Sequence, residues 1–241
     1  MLCCVWDFDH SLIPDNSDYS IPQALAPGPA LDALFSSRGV TPWTSLIDRV
    51  LGHLHSAGIT PAQISAAAAD MSYDEDIHAA IAELGSLGAT QFVLSDANSL
   101  YISSFFARHG LTGYFSHVHT NPATVTDGCL VRLAPAVPPD APHGCPLCPP
   151  NLCKGAVLRG WLAAAPLGGP RRWFYVGDGG GDVCACLQLD AGDLVFARAG
   201  FPLAKALQGR HAGALKAALR LWASGAELRA ALAAEARAGP R

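Results

Sequence analysis

Short apolar runs recur along the chain, and most of them end abruptly at polar or glycine-rich residues. They cover residues 1–6, 91–94, 173–176 and 194–196. Runs of this kind, without polar alternation, are typical of strands buried on both faces of a parallel sheet. Helical patterns lie between them, at residues 98–108, 154–165 and 182–189. The alternation predicts an α/β fold with a Rossmann-like, doubly wound parallel sheet, whose ligands bind at the carboxyl ends of the strands.

One long segment, residues 14–88, interrupts this alternation because it contains several helix-like stretches and no convincing strand. The helix-like stretches include residues 44–57 and 61–70. We interpret the segment as an inserted small helical cap. Residues 1–13 and 89–241 then form the α/β core.

Three further patterns mark the ends of elements. Thr60 and Gln63 flank a proline with capping-box spacing, which predicts that a cap helix begins there. Residues 134–150 are rich in proline and predict an irregular loop. Apolar side chains within residues 215–222 share one helical face, and Ser224 begins a second capping-box pattern. Two closing amphipathic helices are therefore predicted.

The composition favours a packed globular protein, since 50% of the 241 residues are hydrophobic and only 15% are charged. With 16 Lys and Arg against 20 Asp and Glu, the net charge is −4 and no basic cluster is present. Nucleic acid is therefore not an expected partner. No apolar stretch approaches the roughly 18 residues of a membrane span, and no signal peptide is evident. We expect a cytoplasmic protein without a membrane partner.

The eight cysteines fit that expectation as reduced thiols. Four of them lie in apolar runs, where a thiol behaves as a small buried hydrophobic group. These are Cys3, Cys4, Cys184 and Cys186.

Carboxylates follow two of the predicted strands. Asp7 and Asp9 come after the first run, and Asp178 and Asp182 lie in the glycine-rich segment after the third. Where the chain turns out of a strand, two such side chains can diverge, so that one carboxylate attacks and the other moves protons. Four carboxylates at one sheet edge would repel one another without a cation, and an all-oxygen site suits Mg²⁺. Taken alone, each pair is equally consistent with an ordinary solvated turn.

Two further residues supply hydrogen-bond donors for a phosphate. Ser95 ends another predicted strand with a hydroxyl, and Lys154 opens a helix after the proline-rich loop with a positive charge. Singly, the serine could cap a helix and the lysine could be solvated. Combined with the carboxylates, they predict a phosphate site.

These elements, in this order, resemble the haloacid dehalogenase (HAD) superfamily of aspartate-nucleophile phosphatases. The chain is more closely similar to the phosphoethanolamine/phosphocholine phosphatase family, which also includes pyridoxal phosphate phosphatases and plant thiamine monophosphate and pyrophosphate phosphatases. The motifs that carry this similarity are DFDHSLI at 7–13, DNSD at 15–18, LSDAN at 94–98, CPLCPPNLCK at 145–154 and YVGDG at 175–179.

The resemblance assigns roles to these residues. It implies that Asp7 is the nucleophile and that Asp9 protonates the leaving oxygen and then activates water. It implies an Mg²⁺ site made of the Asp7 carboxylate, the Asp9 backbone carbonyl and Asp178, supported by Asp182. Ser95 and Lys154 would bind the phosphate.

Two departures from the family pattern affect the predicted magnesium site. Ser11 stands where the superfamily often has threonine, and Gly181 where many relatives have asparagine. The loss of a polar group at 181 predicts weaker metal binding with activity retained.

Asp18 and Asp96 match positions that the resemblance assigns to recognition of a substrate amine or quaternary ammonium group. The alternative is that each carboxylate caps the helix beside it. Tyr19 and Trp43 could add a cation–π face, although aromatic side chains in a helical cap more often belong to its core.

A cluster of metal-ligand side chains lies in the proline-rich segment, consisting of His143, Cys145, Cys148 and Cys153. Three thiols and an imidazole could hold a structural Zn²⁺ that would fix the loop before Lys154. The alternative is a flexible loop with free thiols, since the second spacing between the cysteines is unusual for zinc sites.

The sequence thus predicts an Mg²⁺-dependent phosphatase acting on a small phosphorylated metabolite through an aspartyl phosphate. Phosphocholine or phosphoethanolamine is the first expectation. Pyridoxal 5′-phosphate, thiamine monophosphate and pyrophosphate are alternatives. A phosphotransferase is less favoured, and so is a non-catalytic phospho-acceptor domain, because the latter needs neither a paired acid nor a cap.

Overall fold

The computed structural model describes residues 1–164 and 171–238. Its strands are β1 (Leu2–Trp6), β2 (Thr90–Asn98), β3 (Phe115–Asn121), β4 (Ala123–Thr126), β5 (Leu130–Leu133), β6 (Arg172–Gly177), β7 (Leu194–Arg198) and β8 (Ala218–Trp222). Within the described residues, six of them form one parallel sheet in the order β3-β2-β1-β6-β7-β8, while β4 and β5 pair as an antiparallel hairpin. The predicted parallel α/β architecture is confirmed.

Helices cover both faces of the sheet. They are α1 (Ser17–Leu25), α2 (Pro29–Phe35), α3 (Trp43–Ser56), α4 (Pro61–Ala69), α5 (Glu75–Ser86), α6 (Ser99–His109), α7 (Lys154–Ala164), α8 (Val183–Cys186), α9 (Pro202–Gln208) and α10 (Gly225–Ala238). Successive strand residues point to opposite faces. In β1, Cys4 and Trp6 pack with α5, α6 and α10, whereas Cys3 and Val5 pack with α7, α8 and α9. The sheet is therefore doubly wound, as predicted.

The cap is a helical layer completed by the β4–β5 hairpin. Ile21, Ile47 and Ile64, from α1, α3 and α4, share one buried cluster with Val131 of the hairpin. Arg132 fastens the hairpin to α3, since its Nε and NH2 lie 2.9 and 2.7 Å from the two carboxylate oxygens of Asp48. The hairpin lies outside the predicted cap segment, yet it packs with the cap helices.

Helix α5 falls inside the predicted cap segment, residues 14–88, but packs elsewhere. Its side chains Ile77, Ile81 and Leu84 lie in the same cluster as Trp6 of the sheet. The predicted cap segment therefore includes one helix, α5, that packs against the sheet and α10.

Several predicted element ends are confirmed. Thr60 caps α4 in a capping box with Gln63. Residues 134–150 contain neither helix nor strand. The helix beginning at Lys154 is present, and its predicted last residue, Ala165, lies outside the described residues. Within the described ranges, no helix is long and apolar enough to cross a membrane.

One predicted element is wrong. The segment ending in Trp222 was predicted as an amphipathic helix, but Ala218–Trp222 forms the edge strand β8. Leu219 packs on the face that carries α7, whereas Trp222 packs on the opposite face. Residues three apart lie on opposite sides of a strand, so the helical spacing of these side chains is coincidental. The second closing helix, α10, is present, with Ser224 Oγ accepting from Glu227 N at 3.2 Å.

Candidate active site

The chain leaves β1 through a turn that separates two carboxylates. The turn spans Phe8–Leu12, and its backbone departs from helical geometry at Asp9 and His10. Asp9 Oδ1 accepts a hydrogen bond from Ser17 N at 2.8 Å, at the start of α1. Asp7 instead faces the core, towards Lys154. The two side chains diverge, as the sequence predicted for a nucleophile and a proton donor.

Lys154 lies buried between two carboxylates. Its Nζ is 2.9 Å from Asp7 Oδ2 and 2.8 Å from Asp182 Oδ1. Burial alone would lower the pKa of Lys154, but the carboxylates of Asp182 and Asp7 raise it well above its ordinary value. Burial and the charge of Asp182 also raise the pKa of Asp7, against the opposing effect of Lys154. The lysine therefore remains charged beside Asp7.

Asp182 acts as a fixed anchor, because it is fully buried and both of its oxygens are occupied. Oδ1 accepts hydrogen bonds from Lys154 Nζ at 2.8 Å and from the hydroxyl of Tyr175 at 2.7 Å. Oδ2 accepts from the backbone nitrogens of Asp178, at 3.2 Å, and Gly179, at 2.9 Å. Asp182 thus positions both the lysine and the glycine-rich turn after β6.

The same cluster fits a hard divalent cation. Carboxylate oxygens of Asp7, Asp178 and Asp182 lie within 4.8 Å of one another. Ser11 Oγ donates to Asp178 Oδ1 at 3.2 Å and orients it. Burial and the charge of Asp182 raise the pKa of Asp178 to about 7, although Lys154 opposes this. Three carboxylates facing one lysine leave negative charge uncompensated, and oxygen ligands of this kind suit Mg²⁺.

A cavity of about 140 Å³ opens over the cluster, between the sheet edge and the cap. Its lining includes Asp7, Asp9, Asp18, Trp43, Ser95, Asp96 and Asp178. Ser95 is buried, and its Oγ accepts a hydrogen bond from Ala97 N at 3.2 Å. Because the hydroxyl accepts this bond, its own proton remains available to a ligand. Asp7, Asp9, Ser95 and Asp178 therefore line one cavity. Lys154 and Asp182 do not line it, and they reach it through the contact of Lys154 with Asp7.

The helix-capping alternative for Asp18 and Asp96 is wrong. Asn16 caps α1, and Asn98 caps α6. Asp18 is buried instead, with Oδ2 accepting from Trp43 Nε1 at 2.8 Å. Its Oδ1 accepts no hydrogen bond from the described residues. Both carboxylates line the cavity.

The environment of this carboxylate pair is strongly negative. Burial, with the charges of Asp9 and Asp96, raises the pKa of Asp18 to about 8. Asn151 Nδ2 holds Asp96 Oδ1 at 3.0 Å. A Cβ at Gly181 would lie 3.0 Å from Asp96 Oδ2, so the absence of a side chain there leaves room for Asp96. A cationic ligand would relieve the repulsion between the carboxylates.

The two aromatic candidates of the cap have different environments. Trp43 lines the cavity and donates to Asp18. Tyr19 is half exposed, and its ring packs against Phe35 at a centroid distance of 5.0 Å. Only Trp43 of this pair can contact a ligand in the cavity.

The structure changes the predicted set of zinc ligands. His143 Nε2 lies 2.9 Å from the carbonyl oxygen of Pro149, and Nδ1 accepts from Cys145 N at 3.0 Å, so both ring nitrogens are engaged within the loop. Cys184 occupies the fourth position instead, beside the three loop cysteines. From the sequence we interpret Cys184 only as a small buried hydrophobic residue. That interpretation is incomplete, because its sulfur also lies among three other potential metal ligands.

Helix α7 approaches α8 closely at Gly155, next to Lys154. A Cβ at Gly155 would overlap Cys184 Sγ and lie 2.9 Å from the Cys184 carbonyl oxygen, whereas a Cβ at Gly160 of the same helix would lie in open space. We expect Gly155→Ala to lower the free energy of unfolding by about 1–3 kcal/mol. Gly160→Ala, the matched control, should raise it by up to about 1 kcal/mol. Urea unfolding of both variants measures this difference, and equal stabilities would contradict the close packing.

The chain is similar to known proteins over nearly its whole length. A family model described as "Putative Phosphatase" matches residues 2–235. A thiamine phosphate phosphatase-like protein of Arabidopsis thaliana is 35% identical over 229 residues, which are 92% of this chain and 90% of that protein. The phosphoethanolamine/phosphocholine phosphatase of Homo sapiens is 31% identical over 208 residues, which are 84% of this chain and 76% of that protein. A solved aspartyl-phosphate intermediate analogue of phosphoserine phosphatase shares the fold, with a TM-score of 0.57, 15% identity and coverage of 90% of this chain and 92% of that chain.

Proposed function

The chain belongs to this phosphatase family, within the haloacid dehalogenase superfamily, and from that premise we propose that it hydrolyses phosphocholine or phosphoethanolamine with Mg²⁺ through a phosphorylated Asp7. As a member of the family it is a HAD-type phosphomonoesterase that acts on a small phosphorylated substrate. This membership excludes the non-catalytic phospho-acceptor domain. What we propose beyond family membership is the mechanism of this chain and the identity of its substrate.

The observation that carries the mechanism is the ion pair between Lys154 and Asp7 at the base of the cavity, where Nζ and Oδ2 are 2.9 Å apart. An anionic carboxylate can approach a phosphate only if positive charge offsets their repulsion. Lys154 supplies one such charge from a fixed position. Mg²⁺, which Asp7, Asp178 and the backbone carbonyl of Asp9 would hold, supplies further positive charge when bound.

The proposed reaction has two displacements. An Asp7 oxygen forms a bond to phosphorus while the bond from phosphorus to the leaving oxygen breaks, and Asp9 gives that oxygen a proton. Asp9 then takes a proton from water, whose oxygen attacks the phosphorus and releases Asp7. The divergent directions of the two carboxylates support this division, because Asp9 lies towards the cap and Asp7 towards Lys154.

The substrate proposal rests on two carboxyl groups that line the cavity. Asp18 and Asp96 form a carboxyl wall, with the Trp43 ring beside it, and a bound cation would favour the ionised form of both. Such a wall favours a leaving group that carries an ammonium charge. It disfavours pyrophosphate, whose second phosphate would face two carboxylates. Pyridoxal phosphate and thiamine monophosphate remain the alternatives to be compared.

A substrate panel tests the proposal. We expect phosphate release from phosphocholine or phosphoethanolamine to exceed that from pyridoxal phosphate, thiamine monophosphate, pyrophosphate and glycerol phosphate, and to disappear with EDTA and return with Mg²⁺. Higher kcat/KM for glycerol phosphate, which carries no cation, would overturn the substrate assignment. Phosphate transfer to added glycerol instead of water would indicate a phosphotransferase.

Asp18→Asn isolates the contribution of the cation site. We expect the KM for phosphocholine to rise about tenfold, which corresponds to about 1.4 kcal/mol, with little change for glycerol phosphate. In the wild type the pKa of Asp18 lies at about 8. Because the cation favours the ionised carboxylate, the KM for phosphocholine should fall as the pH rises from about 7 to about 9. The variant should lose this dependence, and a pH profile unchanged by the substitution would rule out the role of Asp18.

A further inference from the structure

Four cysteine sulfurs converge outside the catalytic cavity. Cys145 and Cys148 come from the proline-rich segment, Cys153 directly precedes α7, and Cys184 comes from α8. All four Sγ atoms lie within 4.8 Å of one another. The separation is 3.6 Å between Cys145 and Cys184 and 4.0 Å between Cys153 and Cys184. Residues far apart in the sequence thus bring four soft ligands to one point.

The spacing of these sulfurs matches the edges of a metal–thiolate tetrahedron. With Zn–S bonds of about 2.3 Å, tetrahedral geometry places neighbouring sulfurs about 3.8 Å apart. A disulfide would require sulfurs about 2.05 Å apart. An iron–sulfur cluster, which places several atoms between its cysteines, would hold the thiolates farther apart than this. The observed distances therefore favour a single tetrahedral ion.

The segment before α7 is held mainly by backbone hydrogen bonds near its start, such as Val137 N to the Asn151 carbonyl oxygen at 2.8 Å. Residues 134–150 contain no helix or strand, and most of their side chains are exposed or only partly buried. A segment of this kind gains little stability from apolar burial. A metal cross-link to α8 would supply the missing constraint, since binding free energy at a structural zinc site is also folding free energy.

We propose that Cys145, Cys148, Cys153 and Cys184 bind one structural Zn²⁺ as four thiolates, releasing their thiol protons on binding. The ion fastens the proline-rich segment to α8. His143 takes no part, because both of its ring nitrogens are engaged within the loop.

This site lies next to the residues that position the phosphate. Cys153 directly precedes Lys154, and Cys184 lies two residues after Asp182. The two buried ligands thus lie beside the two halves of the Lys154–Asp182 pair, whose atoms are 2.8 Å apart. The zinc site positions Lys154 through this arrangement and does not itself contact the substrate.

Metal analysis of the full chain, purified under reducing conditions without chelator, tests the proposal. We expect about one zinc ion per chain in the wild type, in His143→Ala and in Cys129→Ser, whose thiol is exposed and outside the cluster. Cys184→Ser should retain at least fivefold less zinc, about the effect of losing one of four ligands. Zinc retained in Cys184→Ser and lost in His143→Ala would overturn the ligand set.

A second measurement does not depend on the stability of a variant. The wild type reconstituted with Co²⁺ should show the strong thiolate-to-cobalt charge-transfer absorption of a four-sulfur tetrahedral site. Folded wild type that contains no zinc, contains iron instead, or has a disulfide in the cluster would overturn the proposal. These readouts do not involve turnover, so they are independent of whether the proposed substrate is correct.

Discussion

Replacing Asp7 by asparagine should abolish phosphate release, lowering kcat by roughly 10⁴-fold or more. An amide cannot form the phosphoryl bond, so the covalent step has no substitute in the cavity. The fold should persist, because the Asn side-chain oxygen can still accept the 2.7 Å hydrogen bond that Asp7 Oδ1 receives from Phe8 N. Steady-state kinetics at saturating Mg²⁺, with circular dichroism of the same sample, measures both effects.

Asp15→Asn provides the matched control, since it makes the same chemical change at an exposed residue of the same segment. Its activity should equal that of the wild type. If Asp7→Asn kept more than a few per cent of wild-type activity, another group would be the nucleophile.

Replacing Lys154 by methionine should damage both stability and activity. The buried ammonium compensates Asp7 and Asp182, and removing it leaves two carboxylates together in a dry environment. Breaking a buried ion pair in this way costs about 3–5 kcal/mol of unfolding free energy. Loss of one positive charge beside the reacting phosphate should lower kcat by about 10²–10³-fold. Urea unfolding and steady-state kinetics measure the two losses.

Lys205→Met is the matched control, because that lysine is exposed on α9. The double variant Lys154→Met/Asp182→Asn separates the two effects. Removing one of the repelling charges should restore part of the stability and none of the activity. If the double variant lost as much unfolding free energy as the two single variants together, Lys154 and Asp182 would not be coupled.

The sheet could be predicted because its central strands are buried on both faces and appear as uninterrupted apolar runs. The edge strands carry no such signal. In β3 only Asn121 is buried, and in β8 the apolar residues happen to have helical spacing. The β4–β5 hairpin did have a local signal, since Asp127 and Gly128 adopt positive φ in its turn and Asp-Gly is a strong hairpin sequence.

The placement of the candidate catalytic residues could be predicted for a related reason. Asp7 and Asp178 directly follow β1 and β6, and Ser95 lies within β2 just past Val93, the last residue paired with β1, so parallel strands bring the three together. The contacts that orient them come from residues with no distinctive pattern. Tyr175 reaches Asp182 from within a strand, and although it begins the YVGDG motif, the motif does not indicate this contact.

Two features could not be predicted from the spacing of nearby residues in the sequence: the fourth cysteine of the cluster and the residues that cap α1 and α6. Cys184 joins the loop cysteines only because α7 and α8 pack closely at Gly155. Asn16 and Asn98 cap the helices because the backbone leaves its extended conformation at those residues, which frees Asp18 and Asp96 for the cavity. A shift of two residues in a cap position thus separates an aspartate that caps a helix from one that lines the cavity.

Trapping the phosphorylated protein tests the central claim most directly. The wild type is mixed with phosphocholine and Mg²⁺, quenched in acid within the first turnover, digested and analysed by peptide mass spectrometry. We predict a phosphoryl group on Asp7 that is stable in acid, is removed by hydroxylamine and is missing from Asp7→Asn. Phosphate on any other residue, or rapid turnover without a phosphorylated peptide, would contradict the account.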